Sequence, residues 1–314
     1  MKKNFINTVH LEGLLYEHDL AEKVTGANSA HPGTPFISGT ITIATDGECL
    51  NTVPVHYTYV TATTSKGTTN ATYTFLKDVI DNKIGTVMKD GKENAGQVRI
   101  DTAIGLNEFY VDRNGTEELV SAKRNEGGFA HKADTLNANQ KQRNTFECDM
   151  LITKVTRLDA NEERDLPERV IVKGAIFDFR KALLPVEFTV LKEDGMNYFE
   201  GLGATSAQPI FTKVYGTQIS ETQVKRIEQP SAFGDTIVKE ITSTRKDFIL
   251  TGANPEPYVW DDESTLTASD VKEMLAARET TLATIKKRQA DYQASKKTAP
   301  APSAATPAVG GFDF

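Results

Sequence analysis

Six segments carry a periodicity that dictates how each can face a core, and their order along the chain constrains the fold most. Val9 to Tyr16, Thr40-Ile41-Thr42-Ile43 and Val53 to Val60 alternate β-branched or aromatic residues with polar ones, the pattern of half-buried strands. Between Asn70 and Asp81 the period changes: Tyr73, Leu76, Val79 and Ile80 stand three and four apart, which predicts one short amphipathic helix. Strand character returns over Val98 to Ile104. Asp112-Arg113-Asn114-Gly115 then contains an Asn-Gly pair, the strongest short-range hairpin signal, with residues 118–122 as the returning strand.

Strand, strand, strand, helix, strand, strand is the order of a five-stranded OB barrel, whose helix plugs the gap between the third and fourth strands. Residues 1–134 are therefore expected to form one such domain. Residues 135–145 are polar and amide-rich and read as a linker. A second β-rich stretch spans 146–260. Val170 to Phe177 echoes Val9 to Tyr16 as Val, any, aliphatic, charged, Gly, any, aliphatic, aromatic. Two strands bent alike at glycine point to a second OB-like domain in tandem, against the alternative of a chance recurrence over eight positions. Residues 264–293 read as an amphipathic helix with Thr267 as N-cap, Asp270 in its first turn and a stripe of Val271, Met274, Leu275, Leu282 and Ile285. Residues 294–314 become Pro/Ala-rich, a composition that does not order itself, and end in Phe312-Asp313-Phe314. The expected fold class is mainly β, with this C-terminal helix and a disordered tail.

Composition narrows the function. The chain carries a net charge of −7, which argues against a generally basic nucleic-acid coat but leaves room for a local basic groove. No apolar run reaches the roughly 18 residues of a membrane helix, and the basic start lacks a signal-peptide core, so a cytoplasmic protein is expected. Cys49 and Cys148 lie far apart without metal-ligand spacing, and His10, His18, His31, His56 and His131 are scattered. No phosphate-cradling glycine loop, nucleophile elbow or zinc-protease motif occurs. Asp261-Asp262-Glu263 precedes a helix, where acids favour the N-terminal dipole end more simply than they bind a metal. A non-enzymatic protein without metal or cofactor is expected.

Asn7-Thr8-Val9-His10-Leu11-Glu12-Gly13, Gly96 to Ile100, Phe109 to Gly115 and Val120 resemble the first, fourth and fifth strands of the OB-fold single-stranded DNA-binding proteins of bacteria and phages. The Pro/Ala-rich spacer with a short acidic-aromatic end is similar to that family's partner-binding tail. The resemblance covers about the first 125 residues and the last 17. The chain departs from the family in length, with about 150 residues between barrel and tail, and in a tail tip with Asp313 as its one acidic side chain. A longer, divergent phage or mobile-element member is implied, acting in the host bacterial cell. The resemblance implies sequence-independent coating of single-stranded DNA in replication or recombination, with Phe312, Asp313 and Phe314 recruiting partner proteins. Self-association through the helix is left open.

Such binding needs aromatic faces for bases and cations for phosphates. Tyr57 and Tyr59, two apart on one strand, are the first candidates to stack, with Tyr73 and with Phe129, which Gly127-Gly128 would hold on an exposed loop. Barrel-core packing is the competing reading for each. Lys123, Arg124 and Lys132 belong to a segment, 123–143, holding five Lys and Arg against two acids. Arg99 inside a strand would reach either a phosphate or a neighbouring acid. Lys173 and Arg180 repeat the mixture in the second domain, where Phe177 and Phe179 would share a core face. Two rivals stand beside this reading. A virion structural or assembly protein would form symmetric oligomers indifferent to DNA, and a strand-annealing mediator would speed the pairing of complementary strands.

Overall fold

A computed structural model describes residues 4–27, 29–161, 166–229 and 237–298; along 221–229, 237–244 and 292–298 it describes the backbone alone. The protein is mainly β, and all the described strands join one large sheet. The first half holds β1 (Asn7–His18), β2 (Ala21–Val24), β3 (Pro35–Ala44), β4 (Thr52–Thr61), helix α1 (Ala71–Ile80), a single turn α2 (Val87–Asp90), β5 (Gln97–Arg113) and β6 (Thr116–Lys132). Pairing runs from β1 to β3, β4, β6, β5 and back to β1, antiparallel except for the parallel step Val55↔Asn125 and His56↔Glu126 between β4 and β6. Five strands thus close a ring.

The second half repeats the circuit. It holds β7 (Asn144–Leu158), β8 (Arg169–Phe177), β9 (Leu183–Val190), α3 (Glu193–Gly201), β10 (Ile210–Gln229) and β11 (Ile237–Ala253). Pairing passes from β7 to β8, β9, β11, β10 and back to β7, again with one parallel step, Thr189↔Ile249 and Val190↔Leu250. The rings meet where β1 and β7 pair antiparallel, Asn7↔Cys148 to Leu11↔Asn144.

Alternation places Val9, Leu11 and Leu15 of β1, Val53, Val55 and Tyr57 of β4, and Val98, Ile100 and Ile104 of β5 inside the first ring. α1 forms where the spacing places it. Asn70 caps it by accepting the Thr72 N–H at 3.1 Å, and Phe75, Leu76 and Val79 join the core of the ring. Met196 and Phe199 of α3 do the same in the second ring, beside Phe188 and Val190.

The repeat differs from the one expected. Val170 to Phe177 lies on β8, the counterpart of β3, whereas the counterpart of β1 is β7. Aligned on their bulges (after Leu15 in β1 and after Ile152 in β7), the strands read Asn7-Thr8-Val9 against Asn144-Thr145-Phe146 and Glu12 against Asp149. The glycines nevertheless serve one purpose. A Cβ on Gly13 would run into the Ala44 carbonyl of β3, and one on Gly174 into the Leu151 carbonyl of β7. In both rings the first two strands cross too closely for a side chain, and the glycine sits on opposite partners of the crossing.

The C-terminal helix α4 (Ala268–Thr298) starts as expected. Thr267 Oγ1 accepts the Asp270 N–H at 3.0 Å while the Asp270 carboxylate accepts the Thr267 N–H at 3.1 Å. No helix among the described residues is long and apolar enough to cross a membrane.

Candidate functional site

A groove of about 790 Å³ runs between the face of the first ring, the turn joining β8 to β9, and α4. The ring contributes residues 57–60, 103–108, 124, 126 and 127, the turn 178–180 and 182–184, and the helix Met274, Ala277, Arg278, Thr281 and Ile285. Each wall has a local cause. On β4 the inward alternation ends at Tyr57, because Gly39↔Tyr57 and Ile37↔Val60 leave Thr58 and Tyr59 opposing the single Ser38. That bulge turns Tyr59 outward. Its ring is 50% exposed and lies 4.8 Å, centroid to centroid, from Phe36. In the β8–β9 turn, the Asp178 carboxylate accepts the N–H groups of Arg180 (2.8 Å) and Ala182 (2.7 Å), and Lys181 takes φ 66°. Phe179 therefore stands 87% exposed, with the Arg180 guanidinium 5.1 Å over its ring.

α4 touches the body along a narrow seam of half-buried residues at 271, 274, 278, 282, 285 and 289, so Leu275, expected on that stripe, faces outward. Arg278 forms a largely buried ion pair with Glu108 and donates to the Leu183 carbonyl at 3.3 Å. Gln289 acts as an extra strand partner: its Oε1 accepts the Tyr110 N–H at 2.8 Å and its Nε2 donates to the Tyr110 carbonyl.

The acids on the groove are engaged. Glu108 is held by Arg278, Glu126 by Arg124 (Nε to Oε1, 2.6 Å), and Asp178 by its own turn. Arg180 has no carboxylate partner among the described residues. His56, beside Thr40, Arg124 and Glu126, is pushed below its ordinary pKa by burial and then by the Arg124 charge, so it is neutral at pH 7.

The family match covers residues 6–288, both rings and most of α4. The chain belongs to the YorF family. A search of curated proteins finds no match to it.

In this YorF-family chain the groove brings Tyr57, Tyr59, Arg124 and Arg180 together, but Tyr57 needs correcting. It is 1% exposed, its hydroxyl has no partner among the described residues, and burial pushes its phenol up, so it packs the core. Lys123 is also corrected. Its Nζ donates to the Glu187 carbonyl and lies 5.2 Å above both Phe188 and Phe248, so it brackets the two rings, and burial pushes its ammonium pKa down. Arg99 resolves to the ion-pair alternative, 2.5 Å from Glu12, and Lys173 pairs with Glu187 at 2.6 Å. Tyr73 is half-buried on α1 and donates to Glu22 at 3.3 Å. Phe129 is 78% exposed, yet it lies within β6, where Gly127 and Gly128 bulge opposite Thr102. Lys132 lines a separate groove of about 560 Å³ beside α1. Phe179, expected in the core, is instead the most exposed aromatic on the main groove. Phe312, Asp313 and Phe314 lie outside the described residues.

Sequence reasoning missed a buried amide network between the rings. Asn125 and Gln218 exchange side-chain hydrogen bonds at 2.9 and 3.1 Å, and Asn51 and Asn144 both donate to the Gln218 carbonyl. Of its four members only Asn144 carries a local signal, an Asn-Thr pair with an acid four residues after the Thr, repeated at Asn7-Thr8 and Glu12.

Proposed function

We propose that this protein is a sequence-independent single-stranded DNA-binding protein built on two tandem OB barrels, coating single strands during DNA replication or recombination. The observation that carries the reading is the pairing circuit, first–second–third–fifth–fourth–first with a helix after the third strand, present twice, with the groove lying on the first ring. OB barrels bind oligonucleotides on the face of their second and third strands, here β3 and β4, which present the Phe36–Tyr59 pair. Tyr59 and Phe179 offer stacking faces, and Arg180 offers a cation for phosphates, with Arg124, paired to Glu126, beside it. The resemblance of the β1 and β5–β6 segments to single-stranded DNA-binding proteins supports the same reading.

The binding calls for no cofactor and no catalytic group. The tip Phe312-Asp313-Phe314 is the proposed docking point for replication or recombination partners, as an aromatic anchor beside a carboxylate. Protection of a labelled single strand from a single-strand-specific nuclease tests the coating role. Dose-dependent protection that fails at high salt is expected, and digestion unchanged at saturating protein would contradict it.

A further inference from the structure

The groove is not the property of one ring. Its walls come from the first ring (Tyr59, Arg124), from the β8–β9 turn of the second (Phe179, Arg180) and from α4. We infer that the two rings share a single composite site, in which one unpaired DNA strand lies between Tyr59 of the first ring and the Phe179–Arg180 turn of the second. This rests on the single-strand reading above and says how that strand is held.

Three observations carry it. First, the most exposed aromatic on the groove belongs to the ring whose face does not form it: Phe179 stands 87% exposed on a turn that Asp178 stiffens with two carboxylate hydrogen bonds. A turn fixed in this way presents the ring with its backbone already ordered, which lowers the entropic cost of stacking. Second, the groove's three acids (Glu108, Glu126 and Asp178) and three arginines balance, and one of those arginines is available to a phosphate. Glu108 and Glu126 are neutralised by Arg278 and Arg124, while Arg180 lies over Phe179 without a carboxylate partner among the described residues. Third, the rings are locked together, so the turn keeps its distance from the first ring. Lys123 reaches from β6 to the Glu187 carbonyl, and the Asn125–Gln218 exchange is buried beside it.

The test is isothermal titration calorimetry of the full chain with a dT oligomer of about eight nucleotides, within the span of one OB barrel. One oligomer per chain is expected. Tyr59→Ala and Phe179→Ala should each weaken that same isotherm, by roughly ten-fold or more for one lost stack, without changing stoichiometry. Both side chains are exposed, and an unchanged far-ultraviolet circular dichroism spectrum would show that the variants fold. Two oligomers per chain, or a Phe179→Ala variant that binds like the wild type while Tyr59→Ala binds weakly, would overturn the shared site and leave single-strand binding standing. A wild type that binds no oligomer at low salt would overturn both.

Discussion

Asn7 and Asn144 perform the same task at the starts of the two rings. Asn7 accepts the Ile104 N–H (3.0 Å) and donates to its carbonyl (2.9 Å), and Asn144 does the same to Gln218 at 3.2 and 2.7 Å. Each side-chain amide extends a ladder beyond the last backbone pair. Five residues on, Glu12 and Asp149 are both fully buried, and their N–H groups bond across to Arg143 (2.7 Å) and Ile6 (2.9 Å), which knits the rings together. The rings differ in how they satisfy those acids. Glu12 is met by Arg99 from the neighbouring strand, Asp149 by the Ile6 N–H (2.9 Å) and the Tyr258 hydroxyl (3.0 Å). They differ further in what their faces do, since the first ring's opens onto the groove and the second's Phe188 and Phe248 receive Lys123. The two rings share these backbone devices and differ in their surfaces, one opening onto the groove and the other covered by Lys123.

The equivalence is broken most forcefully at the strand crossings. Gly13→Ala and Gly174→Ala each drive a Cβ into a backbone carbonyl, and each should cost about 3 kcal/mol or more in urea unfolding. A loss below about 1 kcal/mol at either would mean that the crossings are not equivalent. Asn144→Ala, which takes the acceptor from the buried Gln218 N–H and leaves the Gln218 carbonyl to Asn51 alone, should cost about 2 kcal/mol, and Asn7→Ala, at a half-buried site, somewhat less.

Glu12→Gln sharpens the contrast between the two buried acids. Burial pushes the Glu12 carboxyl up, but the Arg99 hydrogen bond, the Asn137 backbone and the Arg99 and His10 charges outweigh it and hold the group below its ordinary value. A carboxylate with a depressed native pKa contributes stability above the unfolded value of about 4.3 and loses it as pH falls through the lower native one. The wild type should therefore lose denaturant resistance across that acid window. Glu12→Gln should be weaker by about 1–2 kcal/mol at pH 7, since Arg99 is partly in water, and flatter below pH ~4. Tyr59→Ala should leave the unfolding midpoint within about 0.5 kcal/mol of the wild type, the range of surface substitutions, because the side chain stands outside the core.

Much of the framework was legible from local pattern. The α1 spacing, the Asn114-Gly115 turn, whose residues take φ 56° and 81°, and the Thr267–Asp270 cap are all short-range signals. What was illegible depends on distant partners. Tyr57 and Tyr59 part company through a bulge opposite Ser38, some twenty residues earlier, so strict alternation put both on one face. Lys123 reads as a surface cation until Phe188 and Phe248 arrive beneath it. Phe179 shares strand parity with Phe177, but the strand ends at Phe177 and Asp178 begins a turn. α3 carries Gly195 and Gly201 and buries only Met196 and Phe199, too sparse a stripe to stand out. The groove itself joins three segments far apart in sequence, which no window-based pattern displays.

Fluorescence anisotropy of labelled oligo-dT against the matching duplex, at low and moderate salt, tests the central claim most directly. Salt-sensitive binding to the single strand, with the duplex bound far more weakly, is the expected result. Equal affinity for both, or none for the single strand at low salt, would contradict it.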